Sequence, residues 1–282
     1  MKDKGIILFA FGKKGYVLMA HNMAISIKQF DPSINITLFI ESGFSVPNSS
    51  LFENIITLDN NLIYTEGVGI NPAMVKLAMY DLLPYEHNIY LDVDGITLQS
   101  IEPLFSVCIN GANSVITDIV ATGGKNDVIH YSIWATNEAI FKHFNLKDTD
   151  ILPSINSSWM YIRKDAKAKE IFEVANEYKA YPKAKLRKTW GGTLPDELIF
   201  SGTFAKLGHI PKLGYSPVFF GSKNIDTPLY EIKEKYTILS LYGNGRGRTM
   251  VQPKYIQWYD SLVKKFNGYE SKKFMHEKHA NG

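Results

Sequence analysis

The stretch MVKLAMYDLLPYEHNIYLDVDG, from Met74 to Gly95, decides how this 282-residue chain is read. Just ahead of it, Asn71 offers a capping side chain and Pro72 takes the first helical position, so a helix is expected to start there. Its apolar residues continue to Leu83, where Pro84 ends it. Asn88-Ile89-Tyr90-Leu91 is then a short apolar strand that runs into Asp92-Val93-Asp94-Gly95. Two like charges at the end of a buried strand are costly unless something compensates them. A divalent cation such as Mg²⁺ or Mn²⁺ would do so, because hard ions take one or two carboxylates and complete their shell with water and substrate phosphates. The competing reading of the same residues is an Asp-Gly turn.

Working outward, the chain begins with the continuous apolar run Ile6-Ile7-Leu8-Phe9-Ala10-Phe11, the pattern of a strand buried on both faces. Tyr16, Met19, Ala20, Met23, Ala24, Ile27 and Phe30 then recur at helical spacing, and Asp31-Pro32 closes that helix. Strands are expected at 35–40 and 55–58. Strand alternating with helix over the first hundred residues predicts an α/β fold with a mixed, mainly parallel sheet flanked by helices. In such sheets ligands bind beyond the carboxyl ends of the strands, which is where Asp92 and Asp94 fall. Past residue 100 the pattern loosens, with strands expected at 114–117 and 159–163 and helices at 135–144, 166–178, 195–207 and 254–266.

Composition removes several function classes. With 45% hydrophobic and 21% charged residues the chain is an ordinary globular one, and no apolar run approaches the ~18–20 residues needed to cross a bilayer. Gly5 to Gly12 stops at Lys13-Lys14 without a small-residue cleavage pattern, so no secretory leader is expected. One cysteine, Cys108, excludes an intrachain disulfide or a cysteine zinc site, and a cytoplasmic setting follows as the expectation. A net charge of +3 does not by itself point to nucleic acid. Neither a phosphate loop of the Walker type, a Gly-x-Ser-x-Gly elbow nor a Gly-x-Gly-x-x-Gly fingerprint occurs.

The run from Met74 to Asp94 resembles the signature of GT-A-fold glycosyltransferases, in particular family 8, the glycogenin and galactosyltransferase type. In that family a helix with a Lys or Arg, a Leu-Pro-like turn and a strand lead to the Asp-x-Asp that holds Mn²⁺ on a nucleotide sugar's diphosphate. Three later segments are similar in order and spacing: Ile155-Asn156-Ser157-Ser158 to Phe-Asn-Ser/Ala-Gly, Gly191-Gly192-Thr193-Leu194-Pro195-Asp196-Glu197 to Gly-Gly-Asp-Gln with an insertion, and Ser240-Leu241-Tyr242-Gly243-Asn244-Gly245-Arg246 to His-Phe-x-Gly-x-x-Lys.

The resemblance implies a GT-A domain over 1–270, with 5–100 as the nucleotide-sugar lobe, 101–270 as the acceptor lobe, and a polar tail over 271–282. It implies a retaining transfer from a nucleotide diphosphate sugar, most readily a UDP-sugar, to an acceptor hydroxyl with Mn²⁺ or Mg²⁺. Asp92 and Asp94 would hold the metal. Ser240 stands where the family has a metal-binding His, and a hydroxyl is the poorer ligand. Ala10, Phe11, Gly12 and Tyr16 would seat the base and ribose, with Val93 beside them. Lys76, Gly243, Arg246 and Arg248 would meet the diphosphate. Asn156, Ser157, Gly192 and Asp196 would face the donor sugar, and Asp196 or Glu197 the reaction centre.

For the acceptor, Tyr181 and Trp190 flank a run with Lys179, Lys183, Lys185, Arg187 and Lys188, a pattern suited to a saccharide, a lipid-linked saccharide or a modified nucleic acid base. Two alternatives stand beside this reading. Leu91 to Leu98 resembles the nucleophile loop of haloacid-dehalogenase-type phosphatases, with Asp92 as nucleophile. A GT-A-fold binding protein without catalysis is the other, on account of Ser240.

Overall fold

The computed structural model describes residues 2–59, 64–65, 69–70, 72–127, 135–178, 195–211, 213–221, 226–241 and 252–275. Along the chain the elements are β1 (Lys2–Ala10), α1 (Gly15–Phe30), β2 (Asn35–Glu41), β3 (Asn54–Leu58), β4 (Tyr64–Thr65), β5 (Gly69–Ile70), α2 (Pro72–Leu77), α3 (Met79–Leu82), β6 (Tyr85–Leu91) and β7 (Gly95–Thr97). There follow α4 (Glu102–Asn110), β8 (Val115–Gly123), α5 (Asn137–Phe144), β9 (Leu152–Arg163), α6 (Ala166–Glu177), α7 (Asp196–Lys206), β10 (Val218–Phe220), α8 (Leu229–Lys235), β11 (Ile238–Ser240), α9 (Pro253–Lys265) and α10 (Lys272–Met275). They form two compact units, each built from three separated stretches of chain. One comprises Lys4–Leu58, Leu91–Asn110 and Tyr215–Gly282, and the other Met1–Asp3, Asp59–Tyr90 and Gly111–Gly214.

In the first unit, β3, β2 and β1 pair in parallel, with Leu8 opposite Leu38 and Leu38 opposite Ile55. Ile6, Ile7 and Leu8 are wholly buried, as the unbroken apolar run predicts for a strand covered on both faces. Of the stripe read for α1, Ala20, Met23, Ala24 and Ile27 are buried; Tyr16 and Met19 are half-buried, Phe30 at the helix end is exposed, and Val17 joins the buried face instead. Asp31 ends the helix, its N–H donating to Ile27 O at 2.9 Å, and its carboxylate then accepts from Ser100 Oγ and Ile101 N, fixing the approach to α4. A second, three-stranded sheet runs β10-β11-β7, the first pair parallel and the second antiparallel. Its apolar face packs with α9 through Ile96, Phe219, Leu239, Tyr255 and Tyr259.

After α9 the chain turns back onto α1. Buried Asn22 donates to Tyr259 Oη and Tyr269 O and accepts from Tyr269 N, all within 2.6–2.8 Å. Asp260 takes both Ser271 N and Oγ, and Phe274 is buried. Residues 271–275, whose polar composition suggests the start of a tail, are therefore held in place by one apolar ring and one carboxylate.

The second unit contains β6, β9 and β8 in that order, with β8 and β9 antiparallel and two register shifts between them. Both strands extend beyond the short apolar runs visible in the sequence, and Trp159 and Tyr161 are fully buried. The helix expected over 72–83 is divided at Ala78 into α2 and α3, because Leu77 O accepts from the Asn176 side chain of α6 instead of from the next turn. Helix α7 is buried on nearly every side, and Gly202 allows the Phe144 ring of α5 to lie against its backbone. The fold is thus mixed α/β with mainly parallel strands and flanking helices, in agreement with the alternation in the sequence.

Candidate active site

In the first unit the chain leaves β6 at Leu91 and presents Asp92 and Asp94 partly exposed, with Val93 between them buried. The strand that follows is held very closely to β11: Gly95 stands opposite Ser240, and Leu241 N donates to Asp94 O at 2.8 Å. A Cβ on Gly95 would lie 2.5 Å from Leu239 O, so only glycine permits this approach. The consequence is that Ser240, itself buried, is pinned one register step from Asp94.

Two carboxylates and a hydroxyl are hard oxygen donors, the set that suits Mg²⁺ or Mn²⁺. Among the described residues no three of His, Cys, Asp or Glu gather to hold a metal ion. A cation at Asp92 and Asp94 would therefore draw the rest of its shell from hydroxyl, water or phosphate oxygen, the usual manner of Mg²⁺. Buried Tyr259 feels one of these carboxylates: burial pushes its phenol well above the usual range, the Asn22 hydrogen bond opposes this, and the charges of Asp260 and Asp94 add to it.

The segment after β1 belongs to this unit too. Ala10 and Phe11 are core residues, the Phe11 ring lying 5.8 Å from that of Phe9, so their side chains are taken up by packing. Gly12 is exposed with φ of 82°, and its N–H donates to Glu41 Oε2 at 2.8 Å. Tyr16 sits half-buried in the first turn of α1.

The second unit assembles a different cluster. Lys76 of α2 places Nζ 3.1 Å from Asp196 Oδ2, 3.1 Å from Ser157 Oγ and 3.2 Å from Ser157 O, and 5.1 Å from the centre of the Tyr90 ring. Ser157 Oγ in turn donates to Asp196 Oδ2 at 2.7 Å. Asp196 is the first residue of α7, where a carboxylate is favoured by the helix dipole, and Glu197 follows it half-buried. With the Lys76 and Asp196 side chains each 12% exposed, attraction between them must offset most of their lost hydration, and the Ser157 hydroxyl helps by bonding both. Three residues singled out separately in the sequence are therefore one network, and Lys76 is given to a carboxylate.

Asn156 adjoins this network on β9, its Oδ1 accepting from Ser158 N at 2.9 Å. Directly across from it on β8 is Asp118, buried, between the two register shifts. Sequence reasoning missed Asp118. Its signal was a lone acid in the apolar run Val115-Ile116-Thr117-Asp118-Ile119-Val120, an uncommon place for a charge unless it has work to do. Tyr181, Trp190, Gly192, Gly243, Arg246 and Arg248 lie outside the described residues, as do Asn71 and the basic run 179–188.

No family model matches the chain, and no curated protein matches it in sequence. Solved structures do. The galactosyltransferase LgtC in complex with donor and acceptor sugar analogues matches over 95% of this chain and 98% of its own, at 15% identity and a TM-score of 0.58. An active-site mutant of LgtC gives 16% identity and 0.59 over 96% and 99%. The bifunctional glycosyltransferase WbbM gives 13% and 0.57 over 94% of this chain and 52% of that one. At such identities the likeness speaks for architecture, and the architecture it establishes is the GT-A fold.

Proposed function

We propose that this chain is a metal-dependent glycosyltransferase that moves a sugar from a nucleotide diphosphate sugar, a UDP-sugar, to a hydroxyl of a saccharide acceptor, with retention at the anomeric carbon. The observation that carries this reading is the Asp92 and Asp94 pair at a strand end, with Ser240 brought opposite the adjoining Gly95 by the close β7–β11 pairing that this glycine permits. The likeness in fold to a galactosyltransferase crystallised with donor and acceptor sugar analogues supports it.

Asp92 and Asp94 would hold Mn²⁺ or Mg²⁺, with Ser240 as a weak third donor. When bound, such a cation neutralises the charge that develops on the departing diphosphate. Arg246 and Arg248 add positive charge for the same oxygens, their planar guanidinium groups matching phosphate geometry. Asp196 and Asn156 accept from and orient the hydroxyls of the donor sugar, and Lys76 and Ser157 hold the Asp196 carboxylate in place through the contacts described above. Glu197 is the second carboxylate available to the reaction centre. The acceptor oxygen bonds to the anomeric carbon as the bond from that carbon to the diphosphate oxygen breaks, and the hydroxyl proton passes to the departing oxygen. Tyr181 and Trp190 are the acceptor contacts in this scheme.

Hydrolysis of a panel of UDP-, GDP- and other nucleotide sugars, with Mn²⁺ and with EDTA, tests it. Turnover of one donor that EDTA stops is the expected result. Release of phosphate from simple phosphoesters in place of donor cleavage would overturn it in favour of Asp92 as a phosphatase nucleophile. A chain that binds a donor without turning it over would be the non-catalytic member of the fold.

A further inference from the structure

Glu41 is the last residue of β2, at the carboxyl end of a strand that pairs in parallel with β1. The register places Ala10 opposite Ile40, so Glu41 comes level with the segment Phe11-Gly12 that the nucleotide-sugar reading assigns to the base and ribose. Its carboxylate is fixed on one side only. Oε2 accepts from Gly12 N at 2.8 Å, while among the described residues Oε1 has no hydrogen-bond partner and neither oxygen is in an ion pair. Gly12 is exposed and left-handed, with no side chain to keep a ligand off that stretch of backbone.

We propose that Glu41 is a nucleoside-recognition residue that accepts hydrogen bonds from ribose hydroxyls of the donor. This rests on the nucleotide-sugar reading above. An ionised carboxylate is an acceptor only, so its partner must be a donor group and cannot be the diphosphate. Acids just beyond the second strand of nucleotide-binding α/β sheets take ribose hydroxyls, because the sugar lies across the ends of the first two strands. The Gly12 contact adds rigidity: with one oxygen anchored, the other is presented in a single orientation, and little side-chain freedom is lost when a hydroxyl arrives. The reading makes the chain selective for ribonucleotide over deoxyribonucleotide donors.

Calorimetric titration with UDP, GDP, ADP and CDP in the presence of Mn²⁺ identifies the preferred nucleotide, and its 2′-deoxy and 3′-deoxy forms are then compared on wild type and on Glu41→Ala. The wild type should bind the ribonucleotide about tenfold more tightly than at least one deoxy form, and Glu41→Ala should bind all three alike, at the weaker affinity. Equal loss of affinity for every form would overturn the proposal and leave Glu41 as a support for the Gly12 turn. Loss of the preference among bases, with ribose discrimination intact, would overturn it as well. Failure of all four nucleotides to bind the wild type would instead bring down the nucleotide-sugar reading on which it rests.

Discussion

The Lys76 ammonium lies 3.1 Å from the Asp196 carboxylate, across 120 positions of sequence, and the Ser157 hydroxyl bonds both. Removing either charge leaves the other nearly buried without its counter-ion. Lys76→Met and Asp196→Asn should each lower stability by about 3 kcal/mol in urea denaturation and reduce donor turnover at least about a hundredfold. The double variant Lys76→Met with Asp196→Leu should recover most of the stability and none of the turnover. Recovery of activity in that double variant would mean that the pair serves the fold alone.

Asp94 contributes to structure through its backbone, since Asp94 O accepts from Leu241 N. Asp94→Asn keeps that bond and the side-chain volume. Transfer and donor hydrolysis should vanish while the thermal midpoint stays within a few degrees, and Mn²⁺ should no longer raise that midpoint. Near-normal turnover by this variant would remove Asp94 from the metal site.

Two glycines separate packing from function. A Cβ at Gly202 would lie 2.2 Å from the Phe144 ring, and one at Gly95 2.5 Å from Leu239 O. Gly202→Ala should cost about 1–3 kcal/mol, as overpacking does, with the kcat of the surviving protein little changed. Gly95→Ala forces backbone from backbone beside Asp94 and Ser240, so it should lose turnover out of proportion to stability. Parallel measurement of urea midpoints and kcat distinguishes the two.

Burial lowers the pKa of His21, His143 and His209 from 6.5, in each case as the largest cause; hydrogen bonds to Asn22, to Tyr178 and to Val115 O respectively act the other way. A histidine depressed in the folded state takes up its proton in the unfolded chain first. Stability should therefore be full above about pH 6.5 and fall as pH drops toward the folded-state values, with a positive slope of stability against pH in between. Urea midpoints from pH 7.5 to 5 report this, and His209→Asn should flatten part of the slope.

How far the sequence could be read depended on whether a residue's partners were near it in the chain. Helix α1 and the first two strands followed from periodicity, because the pattern that buries them is local. The Asp-x-Asp was legible for the same reason. The break at Ala78 was not, since its cause is Asn176, about a hundred residues away. Strand β9 was expected only from Trp159 onward, because Pro153, Ser154, Asn156 and Ser157 interrupt the apolar run, yet they are buried or half-buried within the strand. That misreading also hid Asp118, which has meaning only as the residue across from Asn156. The joining of Lys76, Ser157 and Asp196 is likewise a matter of tertiary structure.

The β7–β11 pairing carries a consequence for synthesis. Asp92 leaves the ribosome well before β11, which begins at Ile238, and Tyr269, which closes on Asn22, comes later still. A nascent chain holding the Asp-x-Asp but not residues 238–241 lacks the β7–β11 pairing and the bond from Leu241 N to Asp94 O, so the backbone around the two carboxylates is not yet fixed when they emerge. Fragments ending near residue 100, however well their parallel strands form, should be unable to retain a nucleotide.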